Sequence, residues 1–181
     1  MTMIEKNFVG IVAQRTFENL RIVCESEQSQ FEVTQLLNSF IGLLAFPKKE
    51  HFKQWRNDGK LVFPNQRIEQ IAREGKCDGD YYSMLRHLRN AVVHERLDLQ
   101  SATQEIEMIR FQDEPLGGGQ LDESGKPAHK YNFYLKVEDV YNILMGILYL
   151  EYQELHEEFP LPDVKKIADK FGWKLDVYGE R

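Results

Sequence analysis

The segment YYSMLRHLRNAVVHERL, residues 81 to 97, concentrates the side chains whose types could do chemistry. On a helix turning about 100° per residue, Tyr81, Leu85, Leu88 and Val92 fall on one side and form the natural core stripe. Asn90 and His94 are four apart and fall together nearly opposite that stripe, with His87 beside them. An imidazole titrating near neutrality can move protons, and the guanidinium of Arg89 offers an anion a planar fork of donors. On an ideal helix Arg89 lies about 140° from His94, so the two meet only around a helix break or with help from a partner. Buried amides and imidazoles need partners, and these three point outward, so core packing does not account for them. Val93 and Leu97 flank the polar face where a solvated surface would carry charge, which implies a second buried contact, with another subunit. The plainer alternative is that Arg89 pairs with a nearby carboxylate and His94 is merely exposed. A metal held by His87 and His94 lacks a convincing carboxylate or cysteine to complete it, so no metal or other cofactor is expected.

Charge is unevenly spread. The chain has 181 residues and a net charge of −6, which argues against a general nucleic-acid coat. Residues 48 to 60 nevertheless carry Lys48, Lys49, Lys53, Arg56 and Lys60 against Glu50 and Asp58, a local +3 on a remainder of −9. Phosphate attraction is local, screened within about 10 Å, so such an island can hold a polyanion or simply be solvated. Apolar residues at 42% and charged residues at 29% exclude a disordered chain. Cys24 and Cys77 match no metal-ligand or disulfide pattern. MTMIEKNF holds no apolar run of leader length and no stretch approaches a membrane span, so a cytoplasmic protein away from membranes is expected.

The elements that must position these residues follow from periodicity. Helices are predicted over residues 3–25, 31–45, 66–74, 81–97 and 137–158, with a short one over 163–173. The second is apolar on most sides and reads as central. Pro47 to Asp80 is otherwise mixed, with turns at Asn57-Asp58-Gly59 and Phe63-Pro64-Asn65. Residues 105–111 and 131–137 have strand character, and Tyr131, Phe133, Leu135 and Val137 alternate with polar neighbours. PLGGGQLDESGKP between them suits a long hairpin loop. The expectation is a single mainly α domain over residues 1–181. It is a bundle of four to five helices with a β-hairpin inserted over about 104–137 and a helical tail over about 160–181. His51, His129 and His156 fall in polar segments and receive no role; Glu151, Glu154, Glu157 and Glu158 read as a solvated helix face.

The run RNAVVH, Arg89 to His94, resembles the R-N-x-x-x-H form of the motif that marks HEPN domains, helical bundles found in many prokaryotic RNA-cleaving toxins and phage-defence proteins. TQLLNSFIGLLAFPKKE also resembles the second helix of a HEPN subgroup in bacterial and plasmid-borne proteins of unassigned role. The resemblance covers residues 3 to about 158. It implies a metal-independent endoribonuclease of toxin or defence type, whose motif residues face each other across a homodimer. The catalytic set is then Arg89, Asn90 and His94. His94 would take the proton of the attacking 2′-OH or return one to the leaving oxygen. Arg89 would hold the phosphate, and Asn90 would orient His94 or bond the phosphate. RNA contacts are expected from Lys48, Lys49, Lys53, Arg56, Arg86 and His87. An inhibitory partner protein is a further expectation, and a HEPN module that binds RNA or a nucleotide without cutting is the alternative.

Overall fold

The computed structural model describes residues 11–12, 15–16, 18–19, 32–45, 49–77, 79–101 and 106–154. Two compact units divide the chain, Met1–Lys48 with Glu138–Arg181, and Lys49–Val137.

In the first unit, Ile11, Val12, Arg15, Thr16, Glu18 and Asn19 of the first predicted helix are helical; its other residues, Cys24 among them, lie outside the described residues. Helix α1 spans Glu32–Ala45 and buries Leu36, Leu37, Phe40, Leu43 and Leu44, while Thr34, Gln35 and Asn38 are exposed. The helix buried on nearly every side is instead the one over Val137–Glu154 (α5 below), whose residues from Asp139 to Leu148 are all buried. Glu151, expected on a solvated face, is buried too. The predicted tail helix and His156 lie outside the described residues.

The second unit carries the motif. Helix α2, Lys49–Asn57, occupies a stretch predicted as mixed coil and buries Phe52 and Trp55, three residues apart. Helix α3, Gln66–Glu74, is capped by Asn65, whose side chain accepts from the Ile68 amide at 2.9 Å; it buries Ile68, Ile71 and Ala72 as their spacing predicts. Helix α4, Tyr81–Val93, opens on Asp80, whose carboxylate accepts from the Tyr82 amide.

Helix α4 ends four residues earlier than predicted. Glu95 adopts φ 55, the Arg96 amide bonds the Ala91 carbonyl at 2.8 Å and the Glu95 amide bonds the Val92 carbonyl at 3.1 Å. This is a Schellman closure with glutamate in the left-handed position that usually selects glycine, so sequence gave no stop signal. The chain then forms strand β1, Leu97–Gln100, which was not predicted. It pairs antiparallel with β2, Met108–Pro115, which pairs antiparallel with β3, His129–Lys136, in the order β1-β2-β3. Ile109 faces Leu135 and Phe111 faces Phe133, and all four are buried. Helix α4 packs on β2 and α3 on β3. Gly75, just past α3, passes so close to the Phe133 ring that a Cβ there would overlap it. Helix α5, Val137–Glu154, follows β3 directly. The mainly α architecture with an inserted hairpin therefore stands, with one strand added.

Candidate functional site

Strand β2 alternates, and its buried side is Ile109, Phe111 and then Asp113. The third inward position thus delivers a carboxylate to the face that meets α4. Asp113 is 2% exposed, and its Oδ2 accepts from His87 Nδ1 at 2.7 Å and from Asn90 Nδ2 at 3.0 Å. Its Oδ1 faces Arg96 Nη1 at 3.5 Å. His87 is fully buried, stacked on Tyr131 with ring centroids 3.6 Å apart. Its Nε2 lies 2.9 Å from Arg86 Nη2. A guanidinium can only donate, so Nε2 is the unprotonated acceptor and Nδ1 carries the hydrogen donated to Asp113. Burial pushes the His87 pKa below its usual 6.5, opposed by the Asp113 hydrogen bond and reinforced by the Arg86 charge.

Beside this network a cleft of about 80 Å³ is lined by Phe52, Tyr82, Arg86, Arg89 and Asn90. Arg86 and Arg89 are half-buried, and the Nε of each is shut from solvent without a hydrogen-bond partner. Among the described residues neither guanidinium has a carboxylate partner. Arg56 of α2 reaches towards the same place, 5.3 Å above the Tyr82 ring and 3.2 Å from Asp80. Lys53 is exposed on that helix. Lys49 belongs to α2, and Lys48 lies outside the described residues. His94 caps α4, exposed, with its amide on the Asn90 carbonyl at 3.0 Å, one turn from Arg89 and not among the residues lining the cleft.

The model of the family described as HEPN pEK499 p136 matches residues 1–158. This chain belongs to that HEPN family. No curated protein and no solved structure matches it. The RNAVVH run, inside the matched residues, lies on α4 and its cap, with Arg89 and Asn90 in the cleft and His94 at the helix end.

Three sequence expectations need correction. His87 does not point outward, because α4 has a second buried face, against the sheet, that a wheel drawn from one apolar stripe cannot show. His51 is buried, its ring 4.5 Å from that of Trp55. His129 is half-buried, with Nδ1 shut from solvent and unpartnered, and burial lowers its pKa, aided by Arg96 and Arg110. Asp113 is the residue that sequence reasoning missed. The strand alternation that put Ile109 and Phe111 inward also placed it inward, and a buried acid demands donors. His87, Asp113 and Glu114 bring possible ligand atoms within 4.8 Å of one another. Arg86 on His87 and Arg96 on Asp113 put positive charge against that cluster, which disfavours a cation there.

Proposed function

We propose that this HEPN domain is a metal-independent endoribonuclease that cuts by attack of the RNA 2′-OH and leaves a 2′,3′-cyclic phosphate. The observation that carries this reading is Arg89, a half-buried guanidinium with no counter-ion among the described residues, lining a cleft with Asn90. A desolvated cation without a partner is costly, and an incoming phosphate supplies the partner. Arg89 holds the phosphate and its developing charge, while Asn90 lines the cleft with its amide anchored on Asp113. His94 is solvent-accessible, as a group that exchanges protons with substrate must be. Its position off the cleft is met by a homodimer that brings a second His94 to each Arg89, with Val93, half-exposed at the same helix end, in the contact. Action in the cytoplasm, in defence or as a toxin under an inhibitory partner, belongs to the same proposal.

A HEPN module that binds RNA without cutting is the second reading, favoured by the absence of His94 from the cleft lining. One experiment separates them. Purified protein is incubated with an RNA oligonucleotide and its 2′-O-methyl counterpart, with and without EDTA. Cleavage of RNA alone, undiminished by EDTA, is expected. His94→Ala is expected to lower cleavage at least about a hundredfold while changing stability by no more than about 1 kcal/mol. Binding without cleavage selects the second reading; activity lost to chelator and restored by a divalent ion rejects the metal-free mechanism.

A further inference from the structure

Arg86 and Arg89 stand three residues apart and line one cleft, so their guanidiniums are neighbours on the helix surface. Like charges at that spacing repel, and what keeps Arg86 there is an acceptor, His87 Nε2, at 2.9 Å. That acceptor is fixed from several sides. Asp113 takes the hydrogen on Nδ1, Asn90 and Arg96 hold Asp113, and the Tyr131 ring stacks on the imidazole. A ring needed only to fill the core would be apolar. This one is buried, neutral and hydrogen-bonded at both nitrogens, with one end aimed at a cation facing the cleft.

We propose that Arg86 is a second phosphate-binding arm of this cleft beside Arg89, with Asp113 and His87 as its positioning residues. The proposal rests on the reading of the cleft as an anion site and deepens it. The ligand is a phosphoryl group, because pockets that enclose whole small molecules run to about 300 Å³ or more and this cleft holds about 80 Å³. Two guanidiniums give it the charge and the forked donors that a phosphate oxygen pair accepts. The arm depends on the protonation of His87. The charged and titratable groups facing that ring are Asp113 and Glu114 from β2, Tyr131 from β3 with the Lys130 ammonium 5.0 Å from it, and Arg86 from α4 itself. Arg96 acts through Asp113. A proton on Nε2 turns the acceptor into a donor and releases Arg86.

The test uses the whole chain and two probes, inorganic phosphate followed by thermal shift and a labelled RNA oligonucleotide followed by anisotropy across salt concentrations. Arg86→Gln and Arg89→Gln should each weaken RNA binding about tenfold and each lower the magnitude of the salt slope by about 0.7, one single-strand phosphate contact. His87→Phe keeps a ring against Tyr131 but offers no acceptor, so it should lower the slope as Arg86→Gln does, and adding Arg86→Gln to it should lower it no further. The wild-type to Arg86→Gln affinity ratio should fall towards one as pH drops from 7.5 to 5, while the wild-type to Arg89→Gln ratio holds. That readout needs no variant at His87 and would not move if Arg86 were only structural. If Arg86→Gln binds both probes like wild type while Arg89→Gln is impaired, the second arm is refuted and the ribonuclease reading survives. If phosphate raises the melting temperature in an Arg86-dependent way but RNA does not bind, the arm stands and the ribonuclease reading fails.

Discussion

Replacing Asp113 by alanine isolates the network behind the cleft. The carboxylate is 2% exposed and is the sole acceptor for His87 Nδ1, on a fully buried ring, and for Asn90 Nδ2 among the described residues. Each buried donor left without a partner costs about 1–3 kcal/mol. The Arg96 contact is long at 3.5 Å and its side chain 31% exposed, so its loss adds little. The small void left by the carboxylate adds less than about 1 kcal/mol. These terms sum to about 2–7 kcal/mol, and we take the centre of that span, about 3–5 kcal/mol, which is the range measured when one partner of a buried pair is removed. In a chain of this size that lowers the melting temperature by roughly 6–20 °C. Asp113→Asn keeps one acceptor and should fall in the lower half of that range. Thermal melting followed by circular dichroism, with urea titration as a check, reads both. An Asp113→Ala protein melting within about 2 °C of wild type would mean that water or rearrangement satisfies the two donors, and the network argument would be wrong.

The His87 pKa is lowered in the fold, so as pH falls the unfolded chain takes the proton first, near 6.5. Its contribution to stability is complete above that pH and declines as pH falls towards the folded value, by at most about 1.4 kcal/mol per pH unit. His129 shifts in the same direction and adds to the slope. Urea titrations at pH 7.5, 6.5 and 5.5 should show this decline, shallower in His87→Phe; a flat profile contradicts it. Glu95→Gly relieves a left-handed residue at φ 55 and should raise stability by about 0.5–1 kcal/mol without moving the helix end. A loss of stability would show that the glutamate side chain has a role that its geometry does not reveal.

Much of this is legible in the sequence. Helix α3 declares itself through the spacing of Ile68, Ile71 and Ala72, and α4 through its apolar stripe. The alternation from Tyr131 to Leu135 announced β3, and the motif run named the family. Other features were hidden for identifiable reasons. KEHFKQWRN holds only Phe52 and Trp55 as apolar anchors, so its helix is carried by tertiary burial rather than by pattern. A glutamate in the left-handed position conceals the end of α4, so the predicted helix runs on to Leu97, which is the first residue of β1. The predicted strand over 105–111 ends short of β2, Met108–Pro115, because Gln112, Asp113 and Glu114 are polar and the inward position of Asp113 carries no apolar mark. That single misreading also hid the partner of His87 and Asn90.

The sharing of Asp113 by two donors on α4 has a consequence for how the chain can diverge. Changing His87 alone takes from Asp113 its shortest contact and leaves it Asn90 and Arg96; changing Asp113 alone strands an imidazole and an amide. Exchanging both for apolar side chains of similar volume can be nearly neutral for stability, since the penalty lies in unmatched groups and not in the absence of the pair. Positions 87 and 113 should therefore drift together across descendants of this fold, and position 90 with them wherever its amide still needs an acceptor. A lineage that lost the polar pair but kept Arg89 would hold the same fold with one fewer acceptor behind its cleft.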